Sequence, residues 1–213
     1  MNLSAGRRYK FCMTGRMRGA ALLLTLATLT SPAWAQVVTS IDTELVKGRC
    51  RFIADDGEVG HYALKRCPGL GGARVYTNAN VNNVTLSFKW GRKEAEVFSN
   101  GGLGLKLEWR GIKGKHGFKP NAVIVQRTMK DYDLANGRMD EHSVWSVIRI
   151  EPRNACEIAV IDAAANPGAL ALARTFADSE APAVSCRNVK AKIVGSQTRW
   201  AKEAIGTDEP PPQ

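Results

Sequence analysis

Residues 103–109 read Leu-Gly-Leu-Lys-Leu-Glu-Trp, so that every second residue is apolar. Successive side chains of a β-strand point to opposite faces, and this period of two therefore predicts a strand with one buried face. Residues 84–90, Val-Thr-Leu-Ser-Phe-Lys-Trp, repeat the pattern. Clusters of Gly, Asn and Pro, which favour turns, separate further strands predicted at 74–78, 122–129, 144–150 and 157–161. The chain is expected to form a mainly antiparallel sheet.

A helix is predicted directly after the last of these strands. Asn166 can cap its start, Pro167 suits its first turn, and the helix is expected to continue to Asp178. Its apolar flank consists of Leu170, Leu172, Ala173, Phe176 and Ala177. Residues 189–204 are expected to form a second, weaker element. The predicted fold class is α+β, a mainly antiparallel β-sheet with one helix following a late strand.

The first 35 residues have the composition of an export signal. Five basic residues and no acidic residue are combined with an apolar run of roughly ten residues, half of the ~20 that a membrane-spanning helix needs. Ala33 and Ala35 fit the small-x-small rule for cleavage after Ala35. The predicted organisation is a cleaved signal peptide at 1–35, a single disulfide-stapled domain at 36–205 and a disordered, proline-rich tail at 206–213.

Four cysteines remain after cleavage, and an even number in an exported chain indicates disulfides. They are Cys50, Cys67, Cys156 and Cys186. Three pairings are possible. The pairing of Cys50 with Cys67 and of Cys156 with Cys186 closes the two shortest loops and is favoured, at ~3–4 kcal/mol for each bridge. Neither pair has the close spacing of a zinc site, so no metal and no cofactor are predicted. The expected localisation is periplasmic or secreted, with no transmembrane segment after processing.

Several short stretches occur in a fixed order. They are Cys67-Pro68-Gly69-Leu70-Gly71-Gly72, Leu107-Glu108-Trp109-Arg110, Val160-Ile161-Asp162-Ala163, Ala165-Asn166-Pro167, Ala171-Leu172-Ala173-Arg174 and finally Cys186. In this order they resemble a family of small exported proteins of Gram-negative bacteria, mainly alphaproteobacterial, that has no assigned activity. The resemblance covers residues 50–186 and implies a periplasmic domain framed by the four cysteines. It carries over no catalytic residue.

Positive charge is concentrated in one segment. After residue 35 the chain has 25 basic and 20 acidic residues, and residues 89–119 have eight basic and three acidic residues, so the excess of this segment equals the whole net charge of +5. A positive surface attracts anions such as lipid head groups and lipopolysaccharide phosphates. The candidate contacts are Lys106, Arg110, Lys113, Lys115 and Lys119. The alternative interpretation is a solvated face that keeps the domain soluble.

Nucleic acid is not an expected partner of this basic segment. Export separates the chain from the nucleic acids of the cytoplasm. The aromatic residues also alternate as a strand face requires, rather than forming a stacking platform.

Catalytic candidates are few. Only His61, His116 and His142 could supply a histidine base. His142 follows two acidic residues, but no Gly-x-Ser-x-Gly elbow accompanies it, and Ser143 points to the opposite face of its strand. No catalytic residue is therefore predicted.

Three groups of acidic residues have further interpretations. Asp131, Asp133 and Asp140 have the spacing of a calcium loop in part only, because Asn136 and His142 stand where an EF-hand requires Gly and Glu. Residues 55–58 are predicted to form a hairpin turn. Glu44, Glu108 and Glu157 remain unranked as carboxylates for glycoside cleavage, because such a pair is recognised by its separation in space.

Two functional hypotheses follow. The first is a non-catalytic periplasmic binding or cell-envelope maintenance domain, whose basic segment contacts an anionic envelope component or a periplasmic protein. The second is a cell-envelope hydrolase with an active site that sequence order hides. A hydrolase should have a concave pocket where His142 or a pair of carboxylates converges, whereas a binding domain should present a flat or grooved basic patch.

Overall fold

The computed structural model describes residues 38–46, 48–55, 63–80, 83–133 and 137–206, which belong to one compact unit. The strands are β1 Val38–Glu44, β2 Arg51–Asp55, β3 Ala63–Cys67, β4 Arg74–Ala79, β5 Val84–Trp90, β6 Lys93–Phe98, β7 Gly102–Gly114, β8 Gly117–Asp133, β9 Arg138–Glu151, β10 Asn154–Asp162 and β11 Lys192–Ile193. The helices are α1 Ala169–Ser179 and α2 Arg199–Ala204, with a 3₁₀ turn at Ala181–Ala183. The predicted signal peptide, the tail beyond Gly206 and residues 56–58 of the predicted turn lie outside the described residues.

The strands form two sheets. A six-stranded sheet has the order β1-β7-β8-β9-β10-β11, and a five-stranded sheet has the order β2-β3-β4-β5-β6. Each strand pair is antiparallel except β10–β11, which is parallel. The predicted α+β class, with its mainly antiparallel sheet, is confirmed.

The main core lies between the two sheets. Leu107 and Trp109, from the stretch with the clearest period of two, are fully buried, as are Leu86 and Phe88 of β5. The rings of Phe88 and Trp109 meet edge to face, with their centroids 5.7 Å apart. Burying each such side chain stabilises the fold by ~1.5–3 kcal/mol. The alternation therefore identified the buried residues of β5 and, in β7, Leu107 and Trp109. It was wrong at Leu105, which is 69% exposed and lies where the β7–β8 pairing shifts its register between Leu103 and Leu107.

Helix α1 covers the opposite face of the six-stranded sheet. Its buried residues Ala169, Ala173 and Ala177 pack with Ile124 and Ile158. The small alanine side chains bring the helix close to the sheet, and the predicted apolar flank is confirmed. Residues 189–204, the predicted weaker element, contain β11 and α2.

The predicted start of α1 is wrong. The helix begins at Ala169, and Gly168, with a φ of 73°, occupies the capping position. The Asn166 amide is engaged elsewhere, because its Nδ2 donates to the Asp162 carbonyl at 2.9 Å and its Oδ1 accepts from the Ser196 amide at 2.8 Å. Asn166 thus ties the end of β10 to the segment before α2.

Both predicted disulfides are present. Cys50 is bonded to Cys67, which joins the start of β2 to the end of β3. Cys156 of β10 is bonded to Cys186, which follows the 3₁₀ turn. The pairing that closes the two shortest loops is the one that forms. Among the described residues, no helix is long and apolar enough to cross a bilayer.

Candidate functional site

The hairpin between β7 and β8 lies at one end of the six-stranded sheet. On one side, β1 begins to pair at Val38, opposite Ile112, and on the other side β9 pairs with β8 from Ala122. The β7–β8 ladder continues to the pair Gly114 and Gly117, past the pairs described with β1 and β9. Residues 112–119 form this end of the hairpin, and we call them the hairpin tip.

The hairpin tip is basic and contains no acidic residue. Its sequence is Ile-Lys-Gly-Lys-His-Gly-Phe-Lys, and Lys113, Lys115, His116 and Lys119 are exposed. Within the described part of the chain, no carboxylate forms an ion pair with any of the three lysines. Their positive charge is consequently available to an outside anion.

Two constraints fix the base of the hairpin tip. A side chain at Gly111 would place its Cβ 2.2 Å from the Lys119 carbonyl oxygen, so only glycine permits this approach of the two strands. Gly71, in the loop after Cys67, lies so close to Pro120 that an added Cβ would be 2.5 Å from the proline Cγ. The loop that follows the first disulfide therefore contacts the base of the tip directly.

The other two predicted anion contacts are engaged within the chain. Lys106 Nζ lies 2.9 Å from Asp42 Oδ2, and the hydrogen bond to Asp42 raises the pKa of Lys106. Arg110 donates its Nε to Asp178 Oδ1 at 2.9 Å, its Nη2 to Asp178 Oδ2, and its Nη1 to Glu108 at 3.1 Å. Of the five predicted anion contacts, the three lysines of the tip are therefore those without an ion pair to any described residue.

Glu108 is the centre of an ion cluster that joins α1 to β7. It accepts hydrogen bonds from Arg174 Nε and Nη2, each 2.9 Å from the nearer carboxylate oxygen, and from the Ser40 hydroxyl at 3.0 Å. Burial acts to raise the pKa of Glu108, but the bonds from Arg174 and Ser40 outweigh it, and the pKa is lowered. Glu108 is therefore a structural anion that holds the helix on the sheet, and its charge is neutralised there.

A cleft of about 650 Å³ lies at the second disulfide. Its walls include Glu96 and Val97 of β6, Glu157 of β10, Cys186 and Lys190. Two glutamates, Glu96 with an exposed side chain and Glu157 with a buried one, thus belong to the walls of the same cleft. This is the concave geometry expected of the hydrolase hypothesis.

Glu157 has a buried partner on the side away from the solvent. Arg127, whose side chain is fully buried, donates its Nη1 to Glu157 Oε1 at 2.9 Å and to the Ser146 hydroxyl at 3.2 Å. Burial raises the pKa of Glu157, and the charge of Arg127 opposes that rise. The guanidinium also contacts the Phe98 ring, 4.1 Å from its centroid. Glu157 is thus the counter-ion of a buried arginine.

His142 lies far from this cleft. Its ring stacks on Trp200 of α2, with 4.0 Å between the centroids. Glu157 pairs with Ile148 in the β9–β10 ladder, six residues along β9 from His142, or roughly 20 Å at the rise of a strand. His142 and the two carboxyl groups therefore do not converge.

The remaining candidates occupy separate places. Asp131 and Asp140 face each other across the β8–β9 ladder, and Asp131 accepts a hydrogen bond from Arg199 at 2.6 Å. They belong to a strand pair and not to a calcium loop; nothing is described of the Asp133 side chain. Glu44 is exposed and forms a long ion pair with Arg49, at 3.8 Å. His61 lies outside the described residues.

Sequence reasoning missed the contacts among the quoted stretches. Glu108 and Arg110 stand in Leu107-Glu108-Trp109-Arg110, and Arg174 ends Ala171-Leu172-Ala173-Arg174, yet the charges of Glu108 and Arg174 meet in space. Asp162, from a third stretch, accepts hydrogen bonds from the amides of Ala164 and Ala165. In the sequence, Glu108 and Arg110 alternate with apolar residues, which predicts that they share a face of a strand. This alternation does not indicate with which residues they form ion pairs.

Comparisons of the chain with protein-family models, with curated proteins and with solved structures found no match.

Proposed function

We propose that residues 36–205 are an exported, periplasmic, non-catalytic binding domain that holds an anionic component of the cell envelope against the hairpin tip. The single observation that supports this proposal is the end of the β7–β8 hairpin, with three exposed lysines, no acidic residue and no counter-ion among the described residues. Lysine ammonium groups near an anionic surface each contribute roughly 1 kcal/mol of attraction. Three of them give a binding free energy that salt reduces strongly.

Export is part of the same proposal. The two disulfides support it, because such bonds persist in oxidising compartments and are rare in the cytosol. The signal-like composition of residues 1–35 and the resemblance to small exported proteins of Gram-negative bacteria support it from the sequence. Its test is the redox state and the first residue of the protein isolated from a Gram-negative cell. Four free thiols, or an amino terminus ahead of residue 36, would contradict it.

The anion-binding proposal is tested with vesicles that contain anionic phospholipid, at low salt. The variant Lys113→Glu, Lys115→Glu, Lys119→Glu should lose cosedimentation with these vesicles. A matched control carries the same change of charge at exposed residues elsewhere, as Arg92→Glu, Lys93→Glu, Lys192→Glu. The control should retain most of the binding. If the two variants bind equally well, the hairpin tip is not the contact and the proposal fails.

The cleft at the second disulfide favours a second candidate function, a cell-envelope hydrolase. A buried glutamate with a raised pKa and an exposed glutamate in the walls of one cleft are residue types suited to general acid and base catalysis. The test is turnover of envelope substrates by the wild type and by Glu96→Gln. Because Glu96 is exposed, this change leaves the fold intact. Turnover that survives the change would reject the carboxylate pair as its site.

A further inference from the structure

A small cleft lies at the root of the hairpin tip, between the sheet and α1. It has a volume of about 220 Å³, and its walls include Val38 of β1, Arg110 and Ile112 of β7, Asp178 of α1 and Pro182. Ligand sites that hold a whole small molecule typically measure ~300–1,000 Å³. This cleft can therefore enclose only part of a ligand.

The walls of this root cleft carry no unbalanced charge. Its two ionic residues, Arg110 and Asp178, are bonded to each other through Nε and Nη2, which form one edge of the guanidinium. Val38, Ile112 and Pro182 supply apolar surface, and Val38 is 39% exposed although it is a valine. An apolar group entering the cleft would cover this surface without breaking an ion pair.

A free cation stands at the edge of the root cleft. Lys119 is directly opposite Ile112 in the β7–β8 ladder, and Ile112 is opposite Val38 in the β1–β7 ladder. Residues paired in this way share one face of the sheet, with Cβ atoms roughly 5 Å apart. The row Val38, Ile112 and Lys119 thus passes from an apolar wall to an exposed ammonium group over three adjacent strands.

The other lysine positions differ from Lys119 in their surroundings. Lys113 is opposite Phe118, and Phe118 packs against the core between the two sheets. Lys113 therefore lies on the face of the hairpin tip away from α1. Among the lysines of the strand pairs at the tip, Lys119 is the one placed beside the root cleft.

We propose that the root cleft binds the first carbons of the acyl or alkyl chain of an anionic amphiphile, whose anionic group contacts Lys119. This inference rests on the proposed function and narrows its ligand to a molecule with a negative head group and an attached apolar chain. The positive charge of Lys119 favours an anionic head group. The apolar walls of the root cleft, which carry no net charge, favour an apolar chain. The small volume limits the enclosed part to a few carbons, and the remainder of a long chain stays outside.

The test is titration with single-chain alkyl phosphates of increasing length, each below its micelle concentration, at low salt. Each buried methylene should tighten binding about fourfold until the cleft is full, after which the dissociation constant should stop falling. Inorganic phosphate and the uncharged alcohols of the same lengths are the comparison ligands. Both should bind far more weakly than octyl phosphate.

Two variants separate the chain from the charge. Ile112→Asn should weaken octyl phosphate at least tenfold and leave inorganic phosphate unchanged. Its matched control is Leu105→Asn. Leu105 is an aliphatic residue of similar size in the same strand, but it is 69% exposed and distant from the cleft. Lys119→Gln should weaken every phosphate ligand and leave the uncharged alcohols unaffected.

The outcomes distinguish the two proposals. Vesicle binding that depends on the tip lysines, together with alkyl phosphate affinities that do not depend on chain length, overturns the root cleft and preserves the basic tip. The root cleft would also be rejected as the binding site if the affinity for alkyl phosphates still increased with chain length in both Ile112→Asn and Val38→Asn. If the wild type binds neither the anionic vesicles nor the alkyl phosphates, both proposals are rejected.

Discussion

Arg127 and Glu157 form an ion pair of 2.9 Å in which the arginine side chain is fully buried and the glutamate side chain is 8% exposed. The pair joins β8 to β10 across β9. The guanidinium also donates to the Ala204 carbonyl at 3.2 Å, so that the end of α2 depends on the same side chain. A buried pair of this kind contributes little net stability, but removal of one partner leaves an uncompensated charge.

The first prediction concerns this pair. Arg127→Met should destabilise the fold by ~3–5 kcal/mol, because Glu157 would keep its burial and lose its counter-ion. Arg127→Met combined with Glu157→Leu should be less destabilised than the single arginine variant. Urea unfolding of the wild type and the two variants measures this. A double variant that is less stable than Arg127→Met would show that burial of the glutamate charge is not the dominant cost.

The second prediction concerns pH. The pKa of Glu108 is lowered in the folded state, so its ionised form stabilises the fold. This contribution is complete above the unfolded pKa of about 4.3 and is lost as the pH falls through the lower, folded value. Glu108→Gln should reduce stability at pH 7 by ~1–3 kcal/mol, and the difference in Tm from the wild type should shrink below pH 4.

The pH experiment has an internal control. Glu94 and Asp162 also have lowered pKa values, and both remain in the variant. The wild type minus Glu108→Gln difference therefore isolates one carboxylate. A difference in Tm that stays constant from pH 7 to pH 2 would contradict the role given to Glu108.

The third prediction tests the contact between the first disulfide loop and the hairpin. Gly71→Ala should lower stability by more than Gly72→Ala, although both glycines have positive φ, 63° and 78°. The reason is that a Cβ at Gly71 meets Pro120, whereas a Cβ at Gly72 has nothing within 4 Å. Positive φ alone costs roughly 1–2 kcal/mol, and the Gly71 variant should exceed that value in thermal unfolding.

Relief of the clash checks the same prediction. Pro120→Ala removes the two ring atoms that an added Cβ at Gly71 would meet. Gly71→Ala combined with Pro120→Ala should therefore recover stability toward that of Gly72→Ala. Equal stability of the two single glycine variants would show that the loop and the hairpin can move apart to accept the added Cβ without loss of stability.

The fourth prediction compares the disulfides. The bridges close loops with sequence separations of 17 and 30 residues, and the chain-entropy model gives about 3 and about 3.6 kcal/mol for them. Replacement of Cys156 and Cys186 by alanine should therefore destabilise slightly more than replacement of Cys50 and Cys67. Denaturant midpoints of the two double variants and the wild type measure the order. The reverse order would mean that strain or denatured-state structure outweighs loop length.

Local rules of sequence predicted much of the fold. The period of two located the buried residues of β5 and those of β7 at Leu107 and Trp109, but not the exposure of Leu105, which follows from a shift of register against β8. Loop length identified the disulfide pairing. The division of the strands into two sheets was not predicted, because it depends on pairings such as β1 with β7 between distant parts of the chain. The capping prediction for Asn166 was wrong for the same reason. Its side chain accepts a hydrogen bond from Ser196, thirty residues later in the chain, and local sequence does not show that contact.

The candidate site was also predicted only in part, because its internal contacts join residues that are distant in the sequence. The basic segment was recognised from composition, but composition does not show which cations find carboxylates. Arg110 and Asp178 are 68 residues apart in the chain, and no local pattern links them. The root cleft also depends on the irregular pairing between Arg110 and Gly111, which sequence periodicity does not reveal.

The position of β1 at the edge of the larger sheet has a consequence for the order of folding. Strands β2 to β6 pair with their immediate neighbours in the chain, but Val38 must wait for Ile112. During that interval the first strand is an open template for wrong partners. Asp42 and Glu44 place two negative charges along it, and the repulsion between copies of the unfolded chain opposes self-association until β7 is in place.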